Sequence, residues 1–133
     1  MPSYLLEIAY SPEAWSSLVR NPQDRLEAVR PVIEGLGGRV AAAYFAFGDY
    51  DVVLIADYPD NVSAAAFSMA VAGGGAVKAF RTRPLLTIEE GLQAMRKAGR
   101  AGYAPPGRGE IGTRETIEGE NIADVIEELG GNP

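Results

Sequence analysis

Neither histidine nor cysteine occurs among the 133 residues. Without histidine there is no imidazole base, no Ser-His-Asp triad, no proximal-histidine haem and little basis for zinc or copper. Without cysteine there are no disulfides, iron–sulfur clusters, zinc thiolates or thiol nucleophile. Any chemistry falls to Asp, Glu, Tyr, Lys, Arg or a bound cofactor, and any metal would need oxygen ligands. Asp49, Asp51, Asp57 and Asp60 do not have calcium-loop spacing, and Gly73-Gly74-Gly75 follows a helical stretch without the lysine of a phosphate loop. Neither a metal nor a cofactor is therefore expected. Long apolar runs are also missing: no window nears the roughly 18 residues of a membrane span. The first residues lack the basic start and apolar core of a secretion signal, so the expected location is the cytoplasm.

An apolar share of 47% and an ordinary charged share of 23% describe a globular chain with a real core. The net charge of −6 is uneven. Residues 1–112 carry eleven basic and twelve acidic side chains, whereas 113–133 carry one and six. The body is near neutral and the tail strongly acidic, which argues against nucleic acid as a partner.

Residues Tyr4 to Tyr10 alternate Tyr4, Leu6, Ile8 and Tyr10 on one face with Leu5, Glu7 and Ala9 on the other, the period of a strand. Ser11-Pro12-Glu13 opens a helix with a cap, a first-turn proline and early negative charge. Asn21-Pro22 is expected to restart it, with Leu26, Val29, Ile33 and Leu36 at helical spacing up to Gly37-Gly38. Strands are expected over 39–47 and 50–58, joined by a tight turn at Gly48-Asp49. Asp60 caps a helix from Val62 to about Ala72, and a last strand runs from Ala76 to Arg83, ended by Pro84. The order is βαββαβ, a ferredoxin-like α+β antiparallel sheet with two helices on one face. Thr87-Ile88-Glu89-Glu90 opens a further helix to about Lys97. The domain is thus expected over 1–98. Residues 99–133 form a C-terminal extension: a linker rich in glycine and proline, then an acidic helix starting at Asn121.

Residues 52–56 are apolar without interruption, which predicts a strand covered on both faces. Two helices cover one face. Covering the other calls for a second copy of the chain, so a homodimer is the expected assembly.

Four segments resemble the GYD domain family: Leu36-Gly37-Gly38-Arg39-Val40, the Gly48-Asp49-Tyr50-Asp51 turn, Pro59-Asp60 and Ala76 to Thr82. The signature residues are Gly48, Tyr50 and Asp51, and the resemblance spans roughly residues 3–97. It implies a dimeric α/β-barrel form of the ferredoxin-like fold and supplies no catalytic residues.

Candidate site residues come from the side chains alone. Asp51 as a base with Tyr50 as a hydrogen-bond donor would suit a cleft mouth; the same residues also suit a turn. Glu7, a carboxylate in a central strand, needs a partner such as Arg39, Lys78 or Arg81, and without one it becomes a proton-transfer candidate. Tyr4, Tyr10, Trp15 and Tyr44 would line an aromatic pocket between sheet and helices, or pack as ordinary core. Arg81, alternating with Arg83, would clamp an anion or simply guard a sheet edge. Two functions fit: a homo-oligomeric module that binds a small molecule or mediates assembly, or a cofactor-independent monooxygenase or isomerase.

Overall fold

The structure, a computed structural model, describes residues 1–107. The elements are β1 (Ser3–Tyr10), α1 (Pro12–Arg20), α2 (Arg25–Gly35), β2 (Arg39–Phe45), β3 (Val52–Asp57), α3 (Asn61–Gly73), β4 (Val77–Leu85) and α4 (Ile88–Gly99). Met1–Glu89 form one compact unit, and a second begins at Glu90 within α4. The expected helix at Asn121 lies outside the described residues, as does the linker from position 108 onward.

All pairings are antiparallel and the strand order is β2-β3-β1-β4, compatible with a ferredoxin-like fold. The first and third strands are central, as their apolar character requires. The alternation in β1 sorts its side chains: Tyr4, Leu6 and Ile8 are buried, while Leu5 and Glu7 on the other face stay partly exposed. From β3, Leu54 and Ala56 join the buried side. Ile33 of α2 and Ala64 and Phe67 of α3 close over them. An aromatic chain runs through this core, Tyr4 to Tyr58 to Phe67 to Phe80, with ring centroids 5.7, 6.3 and 6.1 Å apart.

Helix starts follow the side chains that can accept amide protons. Ser11 Oγ accepts from Ala14 N at 3.1 Å, and Asp60 Oδ1 from Ser63 N at 2.9 Å. The second helix does not restart at Asn21-Pro22. Asn21 instead closes α1, its amide donating to Ser17 O at 2.9 Å. Asp24 is the cap of α2, its Oδ1 accepting from the amides of Leu26 and Glu27. The carboxylate one turn before Glu27 outcompetes the asparagine because Asn21 is already held by the helix it ends.

Two further boundaries differ from expectation. β4 continues through Pro84 to Leu85, with Pro84 opposite Tyr4. β4 is an edge strand, and an edge tolerates a residue with no N–H where that direction faces away from the sheet. The β2–β3 connection is six residues, 46–51, not a two-residue turn. Asp51 continues the bonding of the central strand on both sides, its N–H donating to Ile8 O and its carbonyl accepting from Ala46 N, both at 2.8 Å, which leaves the reversal to residues 47–50. Gly48 takes a φ of 129° there, a backbone state open to glycine.

Gly38 serves a different purpose. A Cβ at this position would sit 2.6 Å from Asp57 O and 2.7 Å from the Tyr58 ring. Gly38→Ala therefore forces β2 away from the end of β3. We expect a loss of about 1–3 kcal/mol in urea unfolding; an unchanged midpoint would contradict this close approach.

Candidate functional site

A pocket of about 360 Å³ opens between the sheet and α2. Its floor is the buried-side run of the two central strands, Ile8 and Tyr10 from β1 with Val52 and Leu54 from β3. Leu26 and Val29 of α2 form the roof, because residues three apart on a helix share a face. Ala43 and Phe45 of β2 make the side wall, and Asp24 and Arg25 stand at the lip where α2 begins. The volume lies in the range of small-molecule sites, and the lining is apolar with a few polar groups, their usual composition.

One rim of this pocket is held by Asp51. Its Oδ2 accepts from Tyr10 N at 2.8 Å and from Trp15 Nε1 at 3.0 Å. Its main chain is engaged as well, the N–H to Ile8 O and the carbonyl from Ala46 N, both at 2.8 Å. Trp15 also meets the Tyr10 ring edge-on, with centroids 5.5 Å apart. One residue thus ties the end of β1, helix α1 and the β2–β3 loop together. Burial is the main cause that raises the Tyr10 pKa, with Arg25 pulling it down and Asp51 adding to the rise. The phenol therefore stays protonated, a donor, at neutral pH.

The candidates named from sequence divide between the two faces of the sheet. Tyr10 lines the pocket, and Trp15 braces Tyr10. Tyr44 borders the pocket between Ala43 and Phe45, but its register opposite Val53 assigns its ring to the other face of the sheet. Tyr4 lies in the core, donating to Asn61 Oδ1 and stacking edge-on against Tyr58. Burial pushes the Tyr58 pKa up to about 12, and its hydroxyl has no hydrogen-bond partner among the described residues.

Glu7, Tyr50 and Arg81 belong to another neighbourhood. Arg81 is directly across from Glu7 on β4, yet its guanidinium lies over the Tyr50 ring at 5.3 Å from the centroid. Glu7 is left to Arg83, diagonally placed, with Nη2 3.3 Å from Oε1. That is an ion pair without hydrogen-bond alignment, since buried Oε1 accepts no hydrogen bond. None of the three expected partners takes Glu7: Arg39 is bound to Asp57 by Nε at 3.0 Å and Nη2 at 2.9 Å. Among the described residues no three potential metal ligands cluster, and no helix is long and apolar enough to cross a membrane.

Arg25 escaped the sequence analysis. The available signal was Asp24 followed by Glu27, a cap with an acidic third residue, which moves the helix start to Arg25 and turns that side chain toward the sheet's open end.

The Asp57 cluster generates a pH prediction. The Ser3 hydroxyl, donating to Oδ1 at 2.6 Å, is the first cause that lowers the Asp57 pKa; burial opposes it and Arg39 adds to the lowering. A carboxyl lowered on folding contributes stability that is complete above its unfolded value of 3.8 and is lost as pH falls through the lower folded value. The stability difference between wild type and Asp57→Asn should be flat between about pH 5 and 7 and shrink below about pH 4. Denaturation across that range checks this, and a difference that fails to narrow on acidification would contradict it.

The segments that build this architecture are those singled out above: Gly38 at its close approach, the loop carrying Gly48, Tyr50 and Asp51, and the capped start of α3. No curated protein matches the chain. A family model described as the GYD domain matches residues 4–95, from the second residue of β1 into α4. This protein belongs to the GYD domain family.

Proposed function

We propose that this GYD domain is a self-associating module that binds a small, flat, largely apolar molecule in the pocket beneath α2. The observation that carries the reading is the pocket itself, about 360 Å³ between two packed layers and lined mainly by aliphatic and aromatic side chains. At about 30 Å³ per water, that volume equals roughly a dozen waters, enough for a ligand of about a dozen heavy atoms. Binding is favoured over catalysis because the acid–base candidates do not converge on the pocket. Glu7 faces the other side of the sheet, Asp51 Oδ2 already accepts two hydrogen bonds, and Tyr50 is stacked under Arg81. The rival, a cofactor-independent monooxygenase or isomerase, would need such a group beside the ligand.

Self-association uses the sheet face opposite α2 and α3. Leu5, Val53 and Ile55 are partly exposed there, and Tyr44 is 70% exposed. Their charged neighbours are neutralised in place, Glu7 by Arg83 and Asp57 by Arg39. An apolar centre flanked by paired charges suits a second copy of itself across a twofold axis. Four strands at about 4.8 Å spacing and eight residues of about 3.3 Å give roughly 500 Å² per protomer. The total of about 1,000 Å² reaches the lower bound for a specific interface. Face-to-face pairing of this kind gives the dimeric α/β-barrel form, with residues 99–133 as an appendage to the 1–98 domain.

Two measurements test the proposal. Light scattering should return twice the 14.1 kDa chain mass, and Val53→Lys should return a monomer; a monomeric wild type removes the dimer. Titration with neutral 2-naphthamide should shift the amide resonances of Leu26, Val29 and Ala43, and Val29→Trp, which fills the pocket, should abolish the shifts. Absence of shifts there in wild type would overturn the binding reading.

A further inference from the structure

We propose that the pocket selects ligands whose apolar body carries one anionic oxygen, a carboxylate in the simplest case, and that Arg25 reads that charge with the Tyr10 hydroxyl as second contact. The inference rests on the pocket reading above and adds the chemical class of its ligand.

Most cations of this unit are already engaged. Arg30 pairs with Glu27 at 3.7 Å, Arg39 with Asp57 and Arg83 with Glu7, while Arg81 lies over Tyr50. Arg25 differs. Its Nη1 donates to the neutral Gln23 amide oxygen at 3.1 Å, and no carboxylate stands within ion-pair distance of it among the described residues. Among the described residues, Arg25 is also the one cation that lines the pocket.

Asp24 and Asp51 form no ion pair with Arg25, and each has one oxygen engaged by N–H donors. Asp24, also at the lip, has Oδ1 engaged by the amides of Leu26 and Glu27. Asp51 holds Tyr10 N and Trp15 Nε1. The guanidinium therefore keeps donors for a ligand, and Arg25 and Tyr10 line the same pocket. The phenol is a donor at neutral pH and makes no side-chain hydrogen bond among the described residues. A cation and a hydroxyl donor lining one apolar slot suit an oxyanion on a flat hydrocarbon. A fork of N–H donors is the usual partner of a carboxylate.

The matched ligand pair 2-naphthoate and 2-naphthamide separates charge from shape, with affinities measured calorimetrically on the full chain near neutral pH. Wild type should hold naphthoate roughly 5- to 10-fold more tightly than naphthamide, the scale of a charge-assisted contact at a solvent-facing lip. Arg25→Gln, an exposed substitution that leaves the core untouched, should erase that preference while leaving naphthamide affinity in place. Tyr10→Phe should weaken naphthoate by about threefold. Equal affinities in wild type, or a preference that survives Arg25→Gln, would overturn the assignment and leave the pocket reading standing. Failure of both ligands to bind wild type would overturn both.

Discussion

The carboxylate of Asp51 is the constraint on which the arrangement of this unit depends. It takes the last amide of β1 and the indole N–H of Trp15 at one oxygen, while its own backbone bonds to Ile8 and Ala46. Remove it, and only backbone bonds are left to hold the loop against β1, the Trp15 indole of α1 loses its acceptor, and the Tyr10 amide loses its side-chain partner. Charge-assisted hydrogen bonds of this kind contribute about 1.5–3 kcal/mol each when their partners are partly buried. A residue that could pass for a base is thus better described as a clasp. The tyrosine and glycine beside it follow the same logic: Gly48 supplies the positive φ of the loop, and Tyr50 offers its ring to Arg81.

From that clasp the two faces of the sheet acquire separate roles. The side facing α2 and α3 is filled near Tyr4, Tyr58 and Phe67 and left open near Tyr10, where α2 begins late, at Arg25. The late start is a direct consequence of Asp24, not Asn21, capping the helix. The opposite face carries the ion pairs of Glu7 and Asp57 and a strip of aliphatic side chains. The proposed ligand and the proposed second copy therefore address different faces and do not compete.

Much of the fold was legible in the sequence because it is encoded locally. The alternation of Tyr4 to Tyr10, the caps Ser11 and Asp60 and the apolar run of β3 each act within a few residues, and they suffice for element order and for the central strands. What escaped was non-local. The tight turn at Gly48-Asp49 was expected from its residues, but Asp51 is held by Ile8, far away in the chain, and by Ala46 across the hairpin, and the reversal takes the longer stretch 47–50. The partner of Glu7 depends on where Arg81 goes, and Tyr50 draws it away. The Arg25 position depends on which of two polar residues caps a helix, a contest decided by the end of the preceding one. Pro84 read as a terminator only because its place on a sheet edge was unknown.

The clasp is tested most directly by hydrogen exchange at two protons, the Tyr10 amide and the Trp15 indole N–H, in wild type and in Asp51→Ala. Both should be protected in wild type and should lose protection together in the variant, while the amides of Leu6 and Leu54 in the core keep theirs. Exchange at those two protons that is unchanged by the substitution would mean that Asp51 does not hold this end of the fold, and its carboxylate would again be available for chemistry.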